Sequence, residues 1–317
     1  MITPDYYEKF QCIGSNCKNN CCMGGWDIEV DDESRIRFNT IKGAFGDKLR
    51  DSIDSENVFI RKNGKCPILS DNGLCEIVLN GHELCVICDE YPRFTEFYGD
   101  YEERGVSLSC EAAVKIIVDN KEKMTLVGES GECDEDIFNL LYQARKKIFE
   151  ILQDRTANVS KRIRLVLDYG ENLQNRINNN DYSDFLYIPE DRFEKQMSND
   201  AVFDFLAELD YLSNDWQDVL KHHSVYKTET EIEIEQLAVY FVYRYFLKAV
   251  FDCDVLSKLK FMAIGIIAIA SLTGDIYENA RCYSIEVEHS EDNIEMIYDE
   301  CLFNESFSVQ NIINMIK

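Results

Sequence analysis

From residue 137 onward, apolar side chains return every three or four positions, the period of a helix with one buried face. Ile137, Phe138, Leu140, Leu141, Ala144, Ile148, Ile151 and Leu152 set the first such stripe. The same periodicity predicts helices over 160–177, 195–220, 231–252, 257–273, 291–303 and 307–316, with the polar run 178–183 as a break. The stretch 261–274 is almost entirely apolar and carries no charge. Its 14 residues fall short of the roughly 20 that span a bilayer, so it reads as a helix buried on all sides of a bundle.

The N-terminal part is broken into shorter pieces. Residues 26–31 (Trp-Asp-Ile-Glu-Val-Asp) alternate apolar and acidic, the pattern of a half-buried strand. Asp31 or Asp32 is placed to cap a helix running toward Gly43. A second strand is predicted at 58–61 and a third at 106–109, the latter leading into a short helix from Glu111 to Val118. Asp71-Asn72-Gly73 and Asn80-Gly81 are turn signals. Prolines nearly vanish after Pro92, with Pro189 the sole later one. The expected fold is mainly α: a small cysteine-rich metal-binding module with short strands over 1–130, packed on a C-terminal α-helical bundle over 131–317. No Pro/Gly-rich linker separates them near 120–133.

Composition adds two constraints. The net charge of −26 repels nucleic acid, whose binding depends on neutralising phosphates, and disfavours anionic membranes. It favours solubility and can attract basic partners. The chain starts Met-Ile-Thr-Pro-Asp-Tyr-Tyr-Glu, without the basic flank and apolar core of a secretion signal, so a cytoplasmic location is expected. In a reducing compartment cysteines remain thiols or ligands, and an odd total of 13 fits a disulfide framework poorly.

Those cysteines carry the strongest signal. Nine of the 13 fall within the first 110 residues: Cys12, Cys17, Cys21, Cys22, Cys66, Cys75, Cys85, Cys88 and Cys110. Thiolates are soft ligands suited to zinc and iron–sulfur centres, so all nine are candidate metal ligands. If Ser15 or Asn16 opened a helix, Cys17 and Cys21 would share a face, with Cys22 turned about 100° away. Cys85-x2-Cys88 has the spacing of a knuckle that grips one ion. Cys66 and Cys75 flank the Asp71-Asn72-Gly73 turn. Nine thiols exceed one four-coordinate centre. Two sites, or one iron–sulfur cluster with a structural zinc or free thiols, satisfy the arithmetic equally. A Gly-x-Gly-x-x-Gly loop, a phosphate-cradling loop, His-Glu-x-x-His and Cys-x3-Cys-x2-Cys are all missing, so no standard nucleotide or radical chemistry is signalled.

Taken together, Cys12-x4-Cys17-x3-Cys21-Cys22, Gly25-Trp26, Cys66-Pro67, Gly73-Leu74-Cys75, Leu84-Cys85-x2-Cys88-x2-Tyr91-Pro92-Arg93 and Leu108-Ser109-Cys110 resemble the flagellin lysine N-methylases and their zinc- or iron-chelating cysteine pattern. These motifs cover about residues 10–112, and Glu288-His289-Ser290-x2-Asn293 is similar to that family in the helical part. The resemblance implies methyl transfer from S-adenosylmethionine (SAM) to lysine side chains of flagellin, and an iron–sulfur cluster, of the 4Fe-4S type, held by the cysteines. Under that reading Arg93 is apt to donate its planar fork to the SAM carboxylate, with Tyr91 beside it. The bland alternative pairs Arg93 locally and packs Tyr91 into the module. His289 is a candidate to orient a hydroxyl group, or a packing residue; His82 is a candidate ligand set in a turn; His222 and His223 read as a surface helix end. Cys133, Cys253, Cys282 and Cys301 read as small buried hydrophobes. The catalytic base is not readable from the sequence. The alternatives to an enzyme are a zinc-stapled protein-binding module or an iron–sulfur redox protein.

Overall fold

The computed structural model describes residues 1–133, 137–183, 185–226 and 230–317. Helices dominate, with one small sheet. In the N-terminal part the helices are α1 (Asp32–Thr40), α2 (Ala44–Asp51), α3 (Glu76–Leu79), α4 (Val86–Glu90) and α5 (Glu111–Val118). Asp31 caps α1 by accepting from the Ser34 N–H at 2.9 Å, as its position before the helix predicts. The expected strands at 26–31 and 58–61 do not form. That region holds isolated pairings, Glu29 with Val58 and Ile53 with Phe59, enough to bury Ile28, Val30 and Phe59 without a ladder.

The sheet lies elsewhere. It runs β2-β3-β1-β4, from β1 (Ile2–Pro4), β2 (Arg93–Tyr98), β3 (Tyr101–Val106) and β4 (Leu126–Gly128). β2 and β3 form a hairpin in register from Arg93↔Val106 to Tyr98↔Tyr101, and β1 lies parallel to β3 and antiparallel to β4. Gly99 opens the two-residue turn at φ 63°, a conformation that favours glycine. β3 ends at Val106, so the strand expected over 106–109 is instead a hydrogen-bonded turn, with Ser109 bonded to Ser107 before α5. Glu103 faces inward at 2% exposure, where the buried Arg145 clamps it and Tyr101 donates at 2.7 Å.

The C-terminal helices follow the predicted stripes closely. They are α6 (Phe138–Leu152), α7 (Val159–Asn178), α8 (Asp200–Leu206), α9 (Asn214–Leu220), α10 (Glu231–Tyr245), α11 (Ala249–Asp252), α12 (Val255–Ser271), α13 (Ile276–Tyr283), α14 (Glu291–Phe303) and α15 (Val309–Met315). α12 carries the apolar run and is sheathed by α7, α8, α10, α13, α14 and α15. Gly265 permits the close approach of α10: a Cβ there would sit 2.9 Å from the Phe241 ring. No described helix is long and apolar enough to cross a membrane.

Two departures matter. The helix expected over 195–220 breaks into α8 and α9, because Glu286 accepts from the Leu212 and Ser213 N–H groups and Asn293 donates to the Asp210 carbonyl. α13 was not predicted; it continues into a π-helical turn, Ser284–Glu288, which brings Glu288 into the core. The apolar residues form two clusters. A small one runs from Ile28 to Cys85, and the large one joins the sheet and α5 to the helical bundle.

Candidate functional site

The nine cysteines gather where the small cluster meets α5 and α13, and all are free thiols. The segment 12–22 is not a helix. It winds through two short 3-10 turns, Gly14–Asn16 and Cys21–Met23, so Cys17 and Cys21 do not share a helical face. Two side chains fix this loop. Asn20 accepts from the Cys22 N–H at 2.9 Å and donates to the Gly73 carbonyl at 2.8 Å. Glu111, first residue of α5, accepts from the Lys18 N–H at 2.8 Å, the Asn19 N–H at 3.3 Å and the Cys17 thiol at 3.4 Å. Burial and this carboxylate push the Cys17 thiol up to about 12.

Six thiols form a chain of mutual influence. Cys22 sits between Cys21 and Cys66 and keeps its proton; its closeness brings the Cys21 thiol down to about 7 and lowers Cys66. The Cys66 N–H donates to the Cys22 carbonyl at 2.8 Å, joining the two loops. Cys85 stands at the N-cap position of α4 without a side-chain cap, and Cys88 one turn later retains its proton while lowering Cys85. Cys75, raised by burial, feels the charges of Cys66 and Cys85, and Cys88 those of Cys66 and Cys75. Cys110, also raised by burial, lies near Cys12 and Cys21 on the other side. Among the described residues no three His, Cys, Asp or Glu side chains close around a single point as ligands of one ion. The donor chemistry, soft thiols partly desolvated and some already lowered, is that of zinc or iron–sulfur ligation.

Beside the thiols an aromatic seam crosses to the helical bundle. Trp26 stacks on His289 at 5.4 Å between ring centroids and meets Tyr91 at 5.5 Å. Tyr91 donates to Ser109 at 3.1 Å, and burial raises its hydroxyl pKa. His289 is an exposed residue, yet the protein packed around it and then the Arg244 charge hold its pKa below the ordinary value. Beneath it, Glu288 is 5% exposed and accepts from Tyr245 at 2.8 Å and Tyr240 at 3.1 Å. Arg244 donates to the same Tyr240 hydroxyl at 2.6 Å. Next to the seam is an open cleft of about 380 Å³, lined by Lys18, Glu111, Lys115, Glu278 and Arg281 among others.

The remaining candidates fall as follows. Arg93 donates to the Asp89 carbonyl at 3.3 Å and lies over the Phe10 ring at 5.0 Å. Alternation along β2 puts it on the opposite sheet face from Phe94, which Arg244 covers. His82 stacks on Phe45, and His223 stacks on Phe203 while contacting Asp200 at 3.2 Å. Cys133 and Cys301 are buried, whereas Cys253 is exposed at a left-handed turn, so burial does not explain it. Cys282 is half-buried, 3.4 Å from Glu278. Glu288 was noticed only as part of the Glu288-His289-Ser290-x2-Asn293 motif, with no role, and Arg244 was missed. The pair Tyr240 and Arg244, four apart on one helix face, was the signal available.

Comparison with known proteins adds a family-level likeness. Over 166 residues, 48% of this chain, it is 25% identical to the flagellar biosynthetic protein FliU of Salmonella muenchen, covering 95% of that protein. It is 24% identical over 168 residues to lysine-N-methylases of Salmonella typhimurium (strain LT2) and Salmonella choleraesuis, covering 40% of each. The match thus spans less than half of this chain and of the lysine-N-methylases. No protein-family profile matches the chain. No solved structure matches it.

Proposed function

We propose that this protein is a SAM-dependent protein-lysine N-methyltransferase acting on flagellin, with an iron–sulfur cluster held by its N-terminal cysteines. The observation that carries the reading is the similarity to proteins named lysine-N-methylase and FliU. The thiol gathering supports the metal centre: four of Cys12, Cys17, Cys21, Cys22, Cys66, Cys75, Cys85, Cys88 and Cys110 would hold it. SAM supplies an electrophilic methyl carbon, the new N–C bond forming as the S–C bond breaks and a neutral thioether leaves.

The chain's task is then to deliver an uncharged amine. A lysine ammonium must lose its proton before it can attack. In this reading His289, exposed at the seam and with its pKa below the ordinary value, accepts that proton. The net charge of −26 draws lysine-rich protein surfaces toward the molecule and repels nucleic acid. The test is oxygen-free preparation, metal analysis, and incubation with SAM and flagellin, read by mass spectrometry for added methyl groups on lysine. Methylation together with iron and sulfide supports the proposal; zinc instead of iron corrects its metal; an intact metal centre with no methyl gain overturns the activity.

A further inference from the structure

Seven of the eight arginines beyond residue 131 are paired with carboxylates: Arg145, Arg155, Arg162, Arg164, Arg176, Arg192 and Arg281. Arg244 is the exception. Among the described residues no carboxylate lies within ion-pair distance of it, in a chain with 59 acidic residues and 33 basic ones. Its seat is built. The guanidinium lies 4.7 Å from the Phe94 ring centroid and 5.4 Å from that of Tyr245, and one nitrogen donates to Tyr240 at 2.6 Å. Tyr240 and Tyr245 are themselves held by the buried Glu288, whose oxygens they occupy. A guanidinium has five N–H donors in a fixed fork. Here one nitrogen has a partner among the described residues, and the others are not among the sealed polar atoms left without one, so they keep some contact with solvent. A half-buried cation walled by aromatic rings, with its fork free and a stacked Trp26–His289 surface close by, is prepared for a planar anion.

We infer that Arg244 binds a carboxylate, and that this carboxylate is the amino-acid end of SAM, with Glu288 acting through Tyr240 and Tyr245 as the positioning residue. The inference rests on the methyltransferase reading and deepens it. It moves the carboxylate-binding role from Arg93, which is engaged with Asp89 and Phe10, to Arg244.

The test is equilibrium binding by calorimetry, without flagellin, of two ligands: S-adenosylhomocysteine, which keeps the carboxylate, and 5′-methylthioadenosine, which lacks the amino-acid end. The native protein should prefer the first by at least about tenfold, the change that follows from one charge-assisted pair. Arg244→Gln should lose that preference while binding methylthioadenosine as before, and Arg244→Lys should recover part of it. Thermal unfolding of each variant verifies that it folds; if Arg244→Gln does not, the Lys variant and Glu288→Gln carry the comparison. A preference that is absent in the native protein, or that survives in folded variants, overturns the inference while leaving methylation intact. A preference that survives with a raised KM for flagellin assigns Arg244 to a carboxylate of the protein substrate and also overturns it. Failure of the native protein to bind either ligand sinks the methyltransferase reading and this inference together.

Discussion

Arg145→Met probes the joint between sheet and bundle. Arg145 is 1% exposed and Glu103 2%. The fork of Arg145 holds both carboxylate oxygens, one at 2.7 Å, and among the described residues the only other side-chain donor to the Glu103 carboxylate is the Tyr101 hydroxyl at 2.7 Å. Methionine fills much of the arginine stem's volume, so packing against Tyr142, Phe149 and Tyr243 is largely kept. What is lost is the counter-charge of a carboxylate that has no access to water. Breaking a buried pair from one side costs about 3–5 kcal/mol. Against a total of about 5–15 kcal/mol for a domain, that is a large share. Removing both charges, as Arg145→Met with Glu103→Leu, leaves no orphaned ion and should restore most of the loss. Urea unfolding of the native protein, the single variant and the double variant measures both quantities. A loss below about 1 kcal/mol for the single variant, or a double variant no more stable than the single, would refute the reasoning.

Three further outcomes are expected. Asp31→Ala should cost about 1 kcal/mol, because Asp31 both caps α1 and accepts from the Val86 N–H at 2.9 Å beside Cys85. The Val86 bond first, and the Ser34 bonds, hold its pKa down to about 2. Its contribution is therefore full above about pH 4 and lost as pH falls through about 2, so acid titration of stability should be flatter there in the variant. Cys85→Ser should lower metal content and the unfolding midpoint together, while Cys282→Ser leaves metal content unchanged; full metal in Cys85→Ser removes that knuckle from the ligand set. His289→Gln should lower kcat by roughly 10²-fold or more and abolish the acid limb of the pH–rate profile, which in the native protein lies below the ordinary histidine value because the pKa is lowered.

The helical half was legible because burial there follows a helix period with few exceptions. α6, α7, α10, α12, α14 and α15 each sit where a stripe placed them. The hairpin β2–β3 was hidden for a physical reason. Its core-facing position Glu103 is a charge, so Glu102-Glu103-Arg104 reads as solvent-facing until Arg145, 42 residues later, supplies the partner. The break between α8 and α9 was equally invisible, since apolar residues continue through it and the hydrogen bonds that cause it come from Glu286 and Asn293. At the candidate site the cysteine pattern named the nine thiols, but among the described residues no three of them close around one point as ligands. The fixing of their loop by Glu111, and the seating of Arg244 by tyrosines on Glu288, are pairings between distant residues that spacing does not encode.

Those distant pairings determine how the thiol centre communicates with the rest of the molecule. The small apolar cluster has ten buried members, two of them cysteines, too few to hold the surrounding loops by burial alone. Its loop 12–22 is instead tied outward, by Glu111 on α5 and by Glu278 on α13, which accepts from Asn19 at 3.2 Å. Both carboxylates also line the cleft beside the seam. If the thiols hold a metal as proposed, removing it releases a loop whose anchors are walls of that cleft, and the damage should reach it without any ligand residue touching the cleft directly. Limited proteolysis resolves the point: in chelated protein, cleavage should appear first within 12–22 and 66–88 while α12 stays protected. If α12 were cut at the same rate, the small cluster and the bundle would be one cooperative unit, and the thiol centre would be holding up the whole fold.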